Sequence, residues 1–191
     1  MPLGQSIQMN TSKNIPLVGL VGFPGTGKDS IARVLVEDHG WLRMAFADAL
    51  KEDMVEIDPD VNSVEHLDVL KRSDEYWRVR LQLFGEYVRK IEPDYWVRRA
   101  KNKETVEKLT SETKAKGIIY TDIRYPNEAE MICERGGYLI GIHRTGYDMV
   151  NNHISERNTQ DILDGCAEHF SNNTVPEDVA QAILAYTDSP F

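Results

Sequence analysis

Short continuous apolar runs alternate along this chain with longer stretches in which hydrophobic residues recur every three or four positions. The apolar runs predict strands at 15–21, where β-branched residues are frequent, and at 41–46, 117–122 and 138–144. The polar segment at 168–173 is a candidate for a last short strand. The periodic stretches predict helices at 28–40, 47–57, 74–91, 94–109, 125–137 and 175–186. Strands that alternate with helices are typical of a parallel sheet, so we expect an α/β fold.

Three segments show neither pattern. Residues 1–14 are polar, which predicts a flexible N-terminal arm ahead of a single domain at 15–191. Residues 58–73 are polar and acidic and begin with a turn signal. Residues 145–158 have almost no period, which predicts a loop or a lid.

Composition and charge narrow the class of protein. Of 191 residues, 41% are hydrophobic and 28% are charged, which is ordinary for a globular domain and excludes a collagen-like or wholly disordered chain. The net charge of −9 disfavours a large nucleic-acid footprint. Cys133 and Cys166 show neither metal-ligand spacing nor a disulfide framework. The chain has no membrane-spanning apolar run and no secretory leader pattern, so we expect a cytoplasmic location.

A glycine-rich loop stands between the first predicted strand and the first predicted helix. It reads GFPGTGKDS, and its candidates for phosphate binding are Gly22, Pro24, Gly25, Thr26, Gly27, Lys28, Asp29 and Ser30. Glycine lets phosphates approach the backbone, and N–H groups at a helix N-terminus then face the anion. Lys28 would reach the β- and γ-phosphates, and the hydroxyl that usually follows the lysine stands one residue later, at Ser30. A glycine-rich turn without a ligand is the alternative, which the flanking strand and helix disfavour.

Two acidic residues are candidates for contact with a metal ion or with the molecule that would accept a phosphoryl group from the bound nucleotide. Asp29 either stabilises the first turn of its helix or points toward the metal or the acceptor phosphate, where it would orient water or receive a proton. Asp122 ends a predicted strand, where ligands collect in open parallel sheets, and with Ser30 it could hold Mg²⁺. The alternative for Asp122 is a cap on the following turn.

Arginines lie close to these features although the chain is acidic. Arg78 and Gln82 are four residues apart on one predicted helix face, so they could hold a phosphate and a base together. Arg124 stands at the same strand end as Asp122 and could bind an acceptor phosphate. We expect Arg144 to act as a lid arginine that closes over the transferred group and excludes water.

The last candidate is the motif His153-Ile-Ser-Glu156 in the non-periodic segment. It predicts either a capping motif that opens a helix at Ser155 or a mobile lid that meets nucleotide phosphates when it closes.

With these motifs assembled, the chain resembles the deoxynucleoside monophosphate kinases of the bacteriophage type. The likeness covers most of residues 17–156 and runs in order through GLVGFPGTGKDSIARVL, MAFADALK, RVRLQLFGEYVR, DYWV, YTDIRYPNEAEMICERGGYLIGIHR and NNHISE. The family's GKDT loop matches Gly27–Ser30, with Ser in place of Thr. Its other motifs match Arg78, Gln82 and Gly85; Tyr95 and Trp96; Asp122, Arg124 and Glu128; and His153 and Glu156.

The resemblance implies a P-loop kinase fold with three α/β/α layers, a mostly parallel sheet, a helical substrate-binding segment at 48–100 and a lid at 144–157. It implies the reaction ATP + dNMP → ADP + dNDP with Mg²⁺, in which Lys28, Asp29, Arg124 and Arg144 are catalytic. The implied contacts of the acceptor are Asp48, Lys51, Arg78, Gln82, Arg89, Trp96, Arg124, His153 and Glu156. The binding partner would be the deoxynucleoside monophosphate, and the resemblance implies neither a nucleic-acid nor a membrane partner. A homodimer is compatible with the resemblance. A bacteriophage source, and hence the host cytoplasm, is also implied.

Two departures from the family pattern bear on base preference. Glu86 stands where the family often has Thr, and the 58–73 region is short. Phosphomevalonate kinases share the GKD loop and a later Asp-x-Arg, so a kinase of that kind or of another small metabolite is an alternative. A nucleotide-binding module without catalysis is a second alternative. A nucleic-acid 5′-kinase is a third, which the net charge of −9 disfavours because such an enzyme would need a basic groove.

Overall fold

A computed structural model shows strands and helices that alternate in the predicted order. It describes residues 15–111, 114–147 and 154–188. The strands are β1 (Leu17–Val21), β2 (Leu42–Met44), β3 (Ile118–Ile123), β4 (Tyr138–His143) and β5 (Glu168–Ser171). The helices are α1 (Lys28–His39), α2 (Phe46–Ile57), α3 (Val64–Ser73), α4 (Glu75–Ile91), α5 (Tyr95–Thr110), α6 (Pro126–Glu134), α7 (Ile154–Asp164) and α8 (Pro176–Asp188).

The described strands form one parallel sheet in the order β2-β3-β1-β4-β5. The central strand, β1, pairs with β3 on one side and with β4 on the other, and all of its residues are buried. A strand covered on both faces has no place for a polar residue, which explains its uninterrupted apolar sequence. The carboxyl ends of β1 and β3 lie side by side, with Val21 opposite Ile123, so the glycine-rich loop and Asp122 meet at one edge of the sheet.

Helices cover both faces of this sheet. Alternate residues of β1 point to opposite faces, so Leu17 and Val21 join a core with residues of α5 and α6. Val18 and Leu20 join a second core with residues of α1 and α8. The predicted three-layer α/β/α architecture is confirmed.

The segment predicted at 48–100 is helical, and it contains one helix that the sequence analysis did not predict. That helix, α3, lies in the polar region 58–73 and contributes the buried Leu67 to a small third core shared with α2 and α4. Its N-cap is Ser63, whose hydroxyl accepts the N–H of His66 at 3.1 Å. Lys51 of α2 forms an ion pair with Asp68 of α3 at 3.1 Å, which ties the two helices together.

Helix α4 presents three different faces. Trp77 and Leu81 are buried in the third core. On a second face stand Arg78, Gln82 and Arg89, which we call the site face because Arg89 contacts residues that follow β3. The third face, which we call the outer face, is apolar yet exposed and consists of Tyr76, Val79, Leu83 and Tyr87.

The segment predicted as a loop or a lid is helical in its second half, because α7 begins at Ile154. The predicted arm at 1–14 lies outside the described residues, and so does 148–153 of the predicted lid. None of the helices in the described part of the chain is both long and apolar enough to cross a membrane.

Candidate active site

The glycine-rich loop after β1 has the backbone of an anion cradle. Gly25 and Gly27 have φ angles of 84° and 90°, in the left-handed region that side chains with a Cβ rarely adopt. The loop then enters α1, whose first N–H groups have no partner within the helix. These donors, together with the positive end of the helix dipole, make the loop suited to phosphate.

Lys28 lies under this loop with its ammonium group held by the loop's own oxygens. Its Nζ donates to the carbonyl oxygens of Gly22 and Phe23 at 2.7 and 2.9 Å, and to the hydroxyl of Thr26 at 3.3 Å. Burial, followed by the nearby charge of Arg124, lowers the pKa of Lys28 to about 8. A buried cation is therefore in place at the centre of the predicted phosphate site.

The Asp29 carboxylate points away from the core and meets a residue that the sequence analysis did not select. Its side chain is 84% exposed, and Arg43 lies 3.7 Å from it. Arg43 also forms an ion pair with Asp48 at the start of α2. The arginine of β2 thus links the phosphate loop to the helical segment, a contact between distant parts of the chain that no local pattern indicates.

Asp122 caps the N-terminus of α2. Its two carboxylate oxygens accept the N–H groups of Phe46 and Ala47 at 2.9 and 2.8 Å. Desolvation raises the pKa of Asp122, while these two hydrogen bonds act in the opposite direction. The capping alternative therefore applies to a helix far away in sequence rather than to the turn that follows Asp122.

Arg124 is exposed at the end of β3, while its backbone is fixed by a buried carboxylate. Glu128 accepts the N–H groups of Arg124 and Tyr125 at 2.8 and 3.1 Å. Glu128 is itself paired with Arg89 of α4 at 3.2 Å, and the Arg89 guanidinium stacks 3.7 Å from the centre of the Tyr125 ring. Arg89, predicted to bind substrate, thus connects α4 to the strand end that carries Asp122 and Arg124.

The buried Glu128 gives a test of this connection through pH. Desolvation raises the pKa of Glu128 from 4.5 to about 7. Between these values the folded protein binds more protons than the unfolded chain, so stability falls as pH rises. We expect the free energy of unfolding of the wild type to decrease by about 1–3 kcal/mol more than that of Glu128→Gln across this range. Urea unfolding at several pH values measures the difference.

The matched control is Glu130→Gln, which changes an exposed carboxylate of the same helix. It should keep the wild-type pH dependence. Identical pH profiles for wild type and Glu128→Gln would show that Glu128 titrates normally.

The other residues predicted to bind the acceptor lie in different environments. Arg78 is exposed and Gln82 is half-buried on the site face of α4, and no contact in the described residues joins either of them to Arg124. Trp96 is 1% exposed, and its indole N–H donates to the carbonyl oxygen of Gly85 at 3.2 Å. A ring this deeply buried cannot touch an acceptor, so we assign Trp96 to the packing of α5 against α4 instead.

Arg144 lies against the phosphate loop, together with an aromatic residue that the sequence analysis missed. Its guanidinium donates to the carbonyl oxygen of Gly25 at 3.4 Å and stands 4.9 Å from the centre of the Tyr147 ring. A Cβ added to Gly25 would lie 2.3 Å from that ring, so Tyr147 packs directly on the glycine. The side chains of His153 and Glu156 lie outside the described part of the chain.

Comparison with known proteins finds a viral relative of similar length. A protein named "Putative deoxynucleotide monophosphate kinase", from Acanthamoeba polyphaga mimivirus, is 29% identical over 187 residues, and the match covers 87% of this chain and 94% of that protein. This chain is similar to that viral protein along most of its length. No family model matches the chain. The relative comes from a giant virus, so it lends no support to a bacteriophage source.

Solved structures share the architecture. TT1252 from Thermus thermophilus matches with a TM-score of 0.50 and 17% identity over 93% of this chain and 100% of that chain. Dephospho-CoA kinase from Campylobacter jejuni matches with a TM-score of 0.48 and 13% identity over 90% and 96% of the two chains. The match to TT1252, together with the parallel sheet and the helices on both of its faces, supports the α/β fold described above.

Proposed function

We propose that this protein transfers the γ-phosphate of ATP to a deoxynucleoside monophosphate, giving ADP and the deoxynucleoside diphosphate. The observation that carries the proposal is the loop between β1 and α1, in which two glycines adopt left-handed backbone and Lys28 is buried beneath them. The name of the viral relative supports the class of acceptor.

The donor side of the site would consist of the loop and the cations around it. The N–H groups of the loop and of the first turn of α1 would bind the phosphates, and Lys28 would neutralise charge on the transferred group. Arg144, whose guanidinium donates to the carbonyl oxygen of Gly25, would add a second cation. Positioning and charge neutralisation supply most of the acceleration in phosphoryl transfer, so the chain needs no covalent intermediate.

Two side chains would hold a magnesium ion at this site. The Ser30 hydroxyl has no partner among the described residues and lies in the first turn of α1. Asp122 stands at the adjacent strand end. Hydroxyl and carboxylate oxygens are ligands that Mg²⁺ takes together with phosphate oxygens and water. When bound, the ion would neutralise charge that develops during transfer.

The acceptor would lie between the site face of α4 and the end of β3. Arg78 and Gln82 would contact its phosphate and its base or sugar, and the exposed Arg124 would approach from the sheet. Asp29 would orient water or receive the proton of the acceptor. The remaining predicted contacts of the acceptor are Asp48, Lys51, His153 and Glu156.

A homodimer is also proposed, and light scattering of the purified chain tests it.

The reaction is tested by measuring ADP release from ATP with each of the four dNMPs, with mevalonate phosphate and with an oligonucleotide. We expect ADP release with at least one dNMP and none with mevalonate phosphate or the oligonucleotide. Release with mevalonate phosphate alone would identify a small-metabolite kinase. Nucleotide binding without release in any mixture would identify a module without catalysis.

Asp122→Asn separates the metal role of Asp122 from its cap on α2. An amide accepts through one oxygen only, so one N–H of α2 loses its partner and stability should fall by about 0.5–2 kcal/mol. If Asp122 also supports Mg²⁺, turnover should decrease and half-maximal activity should require more Mg²⁺. Thermal melting and Mg²⁺ titration of turnover measure the two effects.

Asp38→Asn is the control, since Asp38 is an exposed carboxylate of α1. It should change neither the melting temperature nor the Mg²⁺ requirement. A destabilised Asp122→Asn with wild-type Mg²⁺ dependence would leave Asp122 with the capping role alone.

A further inference from the structure

The end of β5 is joined to the phosphate loop by one buried side chain. Asn172 is 5% exposed, and its Nδ2 donates to the carbonyl oxygen of Thr26 at 2.8 Å. Its backbone N–H donates to the carbonyl oxygen of His143 at 2.8 Å, which fixes Asn172 against the end of β4. The side chain is therefore held from the sheet and reaches across to the loop.

The hydrogen bond to Thr26 also sets the direction of the next N–H group. The carbonyl of Thr26 and the N–H of Gly27 belong to the same planar trans peptide, so they point in opposite directions. While Asn172 holds the carbonyl on its own side, the Gly27 N–H faces away from Asn172. This N–H has no acceptor among the described residues, as expected for a donor reserved for an anion.

The peptide needs such a constraint because Gly27 itself supplies none. With φ at 90° and no Cβ, its backbone can rotate more freely than that of any other residue type. Asn172 fills the space beside it, since a Cβ on Gly27 would lie 2.1 Å from Nδ2. The Oδ1 of Asn172 is buried and has no partner among the described residues, so the donated bond is the contact that requires an amide here.

We propose that Asn172 is a positioning residue of the phosphate site, which orients the Thr26–Gly27 peptide so that its N–H faces the phosphates of ATP. This inference rests on the proposed function only in taking a nucleoside triphosphate as the ligand. Without the amide, the peptide can turn over and present a carbonyl oxygen to the phosphates instead of a donor.

The test is the binding of ATP, tripolyphosphate and adenosine to Asn172→Ala and Asn172→Asp, measured by calorimetry. The loss of one hydrogen-bonding N–H should weaken ATP and tripolyphosphate by about tenfold in Asn172→Ala. Asn172→Asp should weaken them further, because it places a carboxylate against a carbonyl oxygen. Adenosine has no phosphate, so its affinity should stay within about twofold of wild type.

The matched control is Asn173→Asp, which introduces the same charge one residue away. The Oδ1 of Asn173 accepts the N–H of Thr145 at 2.9 Å, a role that a carboxylate keeps. This variant should bind ATP within about threefold of wild type. Asn172→Ser, a smaller change, is measured in the same way if either Asn172 variant fails to fold.

Three outcomes would overturn the proposal: wild-type affinity for tripolyphosphate in the Asn172 variants, an equal loss of adenosine binding, or an equal effect of Asn173→Asp. These results are independent of the acceptor, because binding is measured without it. Failure of the proposed function would show differently, as tight ATP binding by the wild type without transfer to any dNMP.

Discussion

Lys28→Met should reduce phosphoryl transfer by about a hundred- to a thousandfold without destabilising the protein. The loss of activity follows from removing a preorganised cation beside the transferred group. Stability should stay the same or rise at pH 7, because burial lowers the pKa of Lys28 to about 8 and its charged form is therefore costly in the folded state. Loss of the three hydrogen bonds that its ammonium donates offsets part of that gain.

The effect of Lys28→Met on stability depends on pH in a predictable direction. Between pH 8 and 10.5 the unfolded chain binds more protons at Lys28 than the folded protein does, so wild-type stability rises with pH. The stability difference between Lys28→Met and wild type should therefore shrink across this range. Thermal melting measures the change in stability, and steady-state turnover measures the loss of activity. Lys90→Met, which changes an exposed lysine, is the control. Near wild-type turnover in Lys28→Met would overturn the assignment of the phosphate loop.

Arg78→Ala should raise the Michaelis constant for the dNMP by about ten- to a hundredfold and leave that for ATP nearly unchanged. The range corresponds to a lost charge-assisted hydrogen bond of about 1.5–3 kcal/mol. Arg78 is exposed and forms no hydrogen bond or ion pair with another described side chain, so its removal should have little effect on folding. Steady-state kinetics with each substrate varied in turn measure the two constants.

Arg72→Ala is the matched control, because Arg72 is an exposed arginine at the end of α3. It should leave both constants unchanged. An increase confined to ATP would move Arg78 to the donor side of the site. If neither constant changes, Arg78 is a solvated residue of α4, and the acceptor must be bound nearer to Arg89 and Arg124.

Local sequence patterns predicted β1 and β3 because these two strands are almost wholly buried and therefore mainly apolar. They failed for α3, whose few core residues are spread through a polar segment: Leu67 is buried, yet its neighbours Glu65, Lys71 and Arg72 are charged. A short helix at the edge of a domain needs only one apolar stripe, which composition alone does not reveal.

In the candidate site, spacing predicted the phosphate loop because the loop is contiguous in sequence. Other contacts around the site join residues that are far apart in the chain. Asn172 bonds to Thr26 across 146 positions, and Asp122 caps α2 across more than 70. Such pairings depend on strand order, which a single sequence does not encode locally. Trp96 is a different case. The Tyr95-Trp96 motif led to its prediction as an acceptor contact, but its side chain is buried in the core.

The three faces of α4 separate requirements that many binding helices combine. Its core contacts come from Trp77 and Leu81, while Arg78 and Gln82 occupy a different side of the same helix. Under the proposed function, acceptor preference would change through substitutions on the site face with little cost to folding. A change of base specificity would then require few compensating mutations, and α4 is the element in which they would concentrate.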